Sequence, residues 1–139
     1  MLVAGLLDWS AGRELRAGED RRATIERLVP VMTPDELRAA QRAVLEVHAG
    51  DALLDYVQAL VAATRSGQWF VEGLSPRAGI AVLRAAKAHA LIDRRDYVAP
   101  DDVQAILAQT AAHRLVPVPG AGRGAAEQVM AMVKSIPVS

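Results

Sequence analysis

The 139-residue chain contains no cysteine, which excludes disulfides and thiolate metal sites. Aromatic residues make up 4% of a chain that is 52% hydrophobic, so a core must be built from Leu, Val, Ile and Ala. Lys plus Arg and Asp plus Glu number 16 each, a formal charge of zero. Without a basic excess the composition disfavours nucleic-acid binding, including binding through a helix-turn-helix-like pair. No apolar run approaches the roughly 20 residues that a membrane span requires. The apolar start MLVAGLLDW also lacks the basic leader and longer apolar core of a signal peptide. The chain therefore reads as soluble and cytoplasmic, with no membrane partner.

Familiar chemical motifs are missing too. There is no G-x-x-x-x-G-K-[ST], and in GAGRGAA the residue Ala125 spoils G-x-G-x-x-G. The preceding VPVP is a poor strand because proline cannot donate to a sheet ladder, so VPVPGAGRG reads as a linker. His48, His89 and His113 are far apart and in no metal-binding spacing, and read as surface or half-buried residues. Asp101-Asp102 and Glu19-Asp20 read as helix-start charges or solvated faces. No serine stands with an evident His and Asp partner.

What is present is helical periodicity. A first, mostly charged helix is predicted over residues 10–28, with Leu15, Ile25, Leu28 and Val29 as its apolar positions. Thr33 to Glu36, TPDE, is a capping box with proline at the first helical position. The helix that follows carries a buried stripe of Leu37, Ala40, Val44 and Leu45. Asp51 is the expected cap of the next helix, whose stripe is Leu53, Val57, Leu60, Val61 and Thr64. RSGQWFVEGL reads as a loop or short extended piece, with Trp69 and Phe70 anchored in the core. A fourth helix runs from Ser75 to about Asp93, and its many alanines let a neighbouring helix approach closely. RRDYV reads as an extended connection. A fifth helix begins at Pro100, with Val103, Ile106, Leu107 and Thr110 on one face. The last, within AAEQVMAMVKSI, presents Ala126, Val129, Met130 and Val133. The expected fold is all-α, a small bundle of about five to six helices with short strand-like connections.

One residue stands out. Ser75 and Pro76 have the form of an N-cap and a first helical residue, yet Arg77 follows, a cation at the end of a helix that prefers anions by ~0.3–1 kcal/mol. Either Arg77 is a solvated residue or a partner of a nearby acid such as Glu72, or it faces an external anion that the helix start also attracts. Arg84 lies on almost the same face ~10 Å along the axis, close enough to line one groove with Arg77 but not to share one phosphate.

Four blocks in order, YVQALVAATRSG, GLSPRAGIAVLRAAKAHAL, RRDYVAPDDVQAIL and AHRL, resemble the C-terminal helical lid of the MoxR-type AAA+ ATPases. That lid is related to the lid of the magnesium-chelatase ATPase subunit. The upstream RELRAGEDRR and VMTPDELRAAQRAVLEVHAGDALLDY are similar to the segment that joins this family's ATPase core to its lid, so the resemblance covers residues 13–116. It implies an AAA+ lid fold, with residues 1–30 joining to the core and 31–116 forming the lid bundle; residues 117–139, whose part from Val118 onward lies outside the resemblance, read as a linker and C-terminal helix. It implies that Arg77 is the sensor 2 arginine, reaching the γ-phosphate of ATP on the neighbouring core subdomain, with Ser75 and Pro76 forming its helix start. The implied partners are the AAA+ core subdomain, neighbouring ring subunits and a von Willebrand factor A domain protein, in a chaperone-like role. Walker A, Walker B, sensor 1 and the arginine finger belong to the family's α/β core and are not in this sequence. The chain alone is therefore not expected to hydrolyse ATP or bind it tightly, Mg²⁺ being held by the core. It reads as a lid excised from a longer ATPase or a truncated copy of one. The alternative is a stand-alone helical protein-protein interaction module using the Ala-rich fourth helix.

The chain departs from the family pattern at two places. Arg94 replaces a glycine suited to a left-handed helix end, and Ala99 replaces a Ser or Thr cap.

Overall fold

Helix starts written into the sequence as caps become the corners of the structure, a computed structural model that describes Ile25 and residues 27–120 and 124–138. Residues 1–36 and 37–139 form two compact units. Most of the predicted first helix, and with it Leu15 and the Glu19-Asp20 pair, lies outside the described residues, as do residues 121–123 of the Gly-rich stretch. In the first unit Leu28 N–H donates to the Ile25 carbonyl at 3.1 Å. The Thr33–Glu36 capping box forms in full: Glu36 N–H donates to Thr33 Oγ1 at 3.2 Å and Thr33 N–H to Glu36 Oε2 at 2.7 Å.

Five α-helices follow among the described residues: α1 (Pro34–Glu46), α2 (Asp51–Thr64), α3 (Pro76–Ile92), α4 (Pro100–Ala111) and α5 (Ala125–Ser135). A 3₁₀ turn, Ala112–Arg114, extends α4. Two short strands, β1 (Phe70–Glu72) and β2 (Val116–Pro117), pair antiparallel with Phe70 opposite Pro117 and Glu72 opposite Val116. The first half of VPVP, Val116–Pro117, is thus a strand after all. Its proline costs little because β2 is an edge, and Val118 N–H supplies a bond to the Trp69 carbonyl at 3.2 Å. His48 forms a parallel bridge with Tyr97, which ties the entrance of α2 to the extended connection before α4. No helix among the described residues is long and apolar enough to cross a membrane.

The core joins Leu53, Tyr56, Val57 and Leu60 of α2 to the i, i+4 stripe Ala78, Val82, Ala86 and Ala90 of α3, and to Val103, Leu107 and Ala111 of α4. Phe70 is fully buried and Trp69 packs against the core, as expected of both. Small side chains at 78, 86 and 90 let α4 lie close along α3. Three expectations change. No residue of α1 is buried; Leu37 and Leu45 are 49% and 59% exposed and Ala40 and Val44 only half-buried, because amphipathicity selects a face without supplying a layer to cover it. Asp51 is the first residue of α2 and not its cap, a position filled by Gly50; its carboxylate serves the helix dipole instead. On α5 the core face is Gln128, Val129, Met132 and Val133, with Ala126 and Met130 outside, since α5 is anchored by Gln128 reaching the Trp69 carbonyl at 3.4 Å.

Candidate functional site

The start of α3 has the geometry that its sequence encodes. Ser75 is extended (φ −72°, ψ 160°) and its Oγ accepts from Ala78 N–H at 3.3 Å. Pro76 has no amide to satisfy, and the first turn carries no acid. Arg77 is exposed, with no hydrogen-bond or ion-pair partner among the described residues. The pairing with Glu72 considered for it is not formed. Arg84 lies in a depression with Gln41, Val44 and Leu45 of α1, a lining that does not include Arg77.

Three contacts tie this helix start to the last turn of α2. Thr64, 1% exposed, donates its hydroxyl to the Val61 carbonyl at 2.6 Å and accepts Leu74 N–H at 2.9 Å. Gly73 lies so close to that turn that a Cβ would fall 2.7 Å from both Arg65 Cα and the Thr64 carbonyl oxygen, and onto Arg65 Cγ. At Gly79 a Cβ would stand 3.1 Å from Val61 Cγ2. The side chains of Leu74 and Ala78 are buried on either side of Arg77. Thr64 reads in the sequence as one more member of an apolar stripe; its partner ten residues on is set by the turn between the helices.

The other end of α3 is closed by a Schellman motif: Arg94 N–H donates to the Leu91 carbonyl and Arg95 N–H to the Ala90 carbonyl, each at 2.9 Å. Arg94 stands at the left-handed position, with φ 60°, as its place in the family's glycine position suggests. Left-handed backbone costs a residue with Cβ about 1–2 kcal/mol, while a glycine loosens the unfolded chain by about 0.4–1 kcal/mol. Arg94→Gly is therefore expected to stabilise the chain by about 0.5–1 kcal/mol, a rise of a few degrees in a thermal melt.

This turn aims Arg95 at α4. Its guanidinium donates to both oxygens of Asp102, at 2.7 and 2.6 Å, and to Asp93 Oδ2 at 3.1 Å, and lies 5.8 Å from the Tyr97 ring centroid. Asp102 also accepts Ala99 N–H at 2.7 Å and faces His89 Nδ1 at 2.8 Å. Ala99 has no side-chain acceptor to offer, yet the returning half of the capping box survives through Asp102. Asp102 is thus no solvated helix-start charge: it is 1% exposed. Hydrogen bonds from Arg95 hold its carboxyl far below the usual carboxylate range, against the opposing effect of burial, and the same bonds raise Arg95. His89, Asp93 and Asp102 each bring a potential metal-ligand atom within 4.8 Å of the others. The Arg95 guanidinium already bonds both carboxylates, so this donor set does not fit a cation. It is a structural lock between α3 and α4.

A family model described as the AAA lid domain matches residues 62–133, the span from the last turn of α2 through α5. The chain belongs to this family. Over 98 residues the lid is 38% identical to the uncharacterized protein YeaC of Bacillus subtilis (strain 168), an alignment covering 70% of this chain and 31% of that protein. It is 40% identical over 74 residues to Chaperone MoxR1 of Mycobacterium tuberculosis, covering 47% of this chain and 20% of that one. The crystal structure of a protein described as a candidate ATPase from Cytophaga hutchinsonii superposes with a TM-score of 0.71 at 21% identity, over 95% of this chain and 44% of that chain. That likeness shows a shared fold. The family match and the similarity to MoxR1 identify the chain as a lid domain of the MoxR-type AAA+ ATPases. It spans less than a third of the length of either curated relative.

Proposed function

We propose that this lid presents Arg77 as a nucleotide-sensing cation to ATP held on an AAA+ core, in the sensor 2 role. One observation carries the reading: an exposed arginine without a counter-charge among the described residues sits in the first turn of a helix whose start is packed against the end of α2 on both sides of it. Guanidinium and helix N-terminus both favour an anion, and together they suit a terminal phosphate oxygen. The remaining groups of phosphoryl transfer, namely a phosphate-cradling loop, its lysine and Mg²⁺, are the core's contribution. Loss of the terminal phosphate removes what Arg77 holds, so the lid changes its angle to the core as hydrolysis proceeds. In a ring that movement reaches the neighbouring subunit, and the likeness to a chaperone supports a role in remodelling clients, with a von Willebrand factor A domain protein as a further partner.

In the lid joined to its ATPase core, Arg77→Ala is expected to lower ATP turnover by about 100-fold, the order found when a preorganised charge-stabilising donor is removed. Unchanged turnover and unchanged nucleotide-dependent assembly would remove the role.

A second reading, a helical protein-interaction module without nucleotide chemistry, rests on an apolar groove of about 540 Å³ between α2 and α3. Leu54 and Ile80 on its walls are 41% and 55% exposed. The DNA upstream of Met1 separates the two: an in-frame P-loop there selects the ATPase lid.

A further inference from the structure

We propose that Thr64 is the positioning residue for Arg77, an inference that rests on the nucleotide-sensing reading above. A threonine near a helix C-terminus commonly returns its hydroxyl proton to a carbonyl three or four residues back, and Thr64 does so to Val61. The unusual part is the other half of its capacity. Its oxygen accepts the amide of Leu74, a non-helical residue ten positions on and one before the N-cap of α3. Thr64 thus links the end of α2 to the residue that leads into the cap of α3, and it is buried from solvent that would otherwise substitute for it.

The consequence concerns Arg77 because of where the neighbouring contacts fall. Gly73 is pressed on the Thr64 carbonyl and Arg65 Cα, Leu74 is bonded to the Thr64 hydroxyl, and Gly79 meets Val61. Arg77 lies between positions 74 and 79, so its Cα moves only if the end of α2 moves with it. Contact at Gly73 and Gly79 is sharply repulsive when compressed but resists separation only through weak, non-directional dispersion. The Thr64 hydrogen bond adds a directional tie to that packing, and without it the turn can open outward. A phosphate-facing guanidinium is sensitive to such a shift, since a misplacement of about 1 Å at a reacting centre can cost on the order of 100-fold in rate.

The experiment compares Thr64→Val, Thr64→Ser and Arg77→Ala in the lid joined to its ATPase core, with the Leu74 amide exchange rate measured in the 139-residue chain. Thr64→Val keeps shape and loses the acceptor; it is expected to lower kcat for ATP by roughly tenfold, with KM within about twofold, and to speed Leu74 exchange at least ~10-fold. Thr64→Ser keeps the hydroxyl and restores both readouts. In the Arg77→Ala background Thr64→Val is expected to add less than a further ~2-fold, because the two act along one path. Thr64→Cys, a weaker acceptor, serves in the same comparison if the valine variant does not fold, with a smaller effect of the same sign. The proposal is overturned if Arg77→Ala lowers turnover while Thr64→Val leaves it unchanged, or if the two losses simply multiply. Turnover unaffected by Arg77→Ala instead overturns the sensing reading itself, and the positioning role falls with it.

Discussion

Replacing Asp102 by alanine is expected to lower the unfolding free energy by about 3–4 kcal/mol at neutral pH, since removing one partner of a buried ion pair costs about 3–5 kcal/mol and a returned helix-cap bond about 1 kcal/mol. The expected value falls below the sum of the two because Arg95, 27% exposed along its side chain, can turn to solvent when its partner is gone. The variant should melt about 10–15 °C below the parent. The pH dependence gives a second, independent check. The folded-state pKa of Asp102 is lowered from its ordinary value of 3.8, mainly by the Arg95 hydrogen bonds. The unfolded chain therefore takes up this proton at a higher pH than the folded one. The stabilisation is complete above about pH 5 and is lost as pH falls below the unfolded value toward the folded one. The parent and Asp102→Ala should thus differ most at neutral pH and converge in acid. Urea titrations of both chains at pH 7 and pH 3 measure the two gaps; an equal gap at the two pH values would show that charge on Asp102 is not what stabilises this corner.

Gly73→Ala is expected to cost about 2–3 kcal/mol by a different route. A glycine-to-alanine change at an unstrained backbone position normally stabilises by about 0.4–1 kcal/mol, through a less disordered unfolded chain. At Gly73 that gain is outweighed by sterics. The added methyl meets two backbone atoms at 2.7 Å as well as the Arg65 side chain, and backbone cannot step aside as a flexible side chain can. Overpacking of this kind costs about 1–3 kcal/mol or more. Denaturant unfolding of Gly73→Ala beside the parent measures the net of the steric cost and the entropic gain. A stability equal to that of the parent would mean that the turn after α2 relaxes freely. The α3 start would then be less firmly placed than its contacts indicate.

Local features of the fold were legible because they act within about one helical turn. The Thr33–Glu36 capping box, the Ser75 cap with Pro76, and the alternation of buried positions along α2 each depend on residues three or four apart. The strained place of Arg94 was legible as well, from the glycine that the family carries there. Features that depend on separation through space were not. A first-turn acid at the start of α4 is favoured by the helix dipole whether it is buried or solvated, so Asp102 and Asp101 look alike in sequence. The difference is made by Arg95, brought around a left-handed turn onto one of them. The stripe of α1 and the face of α5 show the same limit: period 3.6 marks an apolar side, and only the neighbouring helices decide whether it is covered and by how much it turns.

For the site itself, the sequence alone determined that an arginine follows a Ser-Pro helix start, in the company of blocks that the AAA lid family shares. It also determined that this chain carries no phosphate-cradling loop of its own. Only the tertiary structure decided that Arg77 stands without a partner among the described residues, that Glu72 does not neutralise it, and that Thr64, Gly73 and Gly79 hold its backbone to α2. The reason is one of range. Caps and periodicity are short-range properties of the backbone, written in neighbouring residues. Whether a charge is matched, and how rigidly it is held, depends on groups that meet only after the helices have packed.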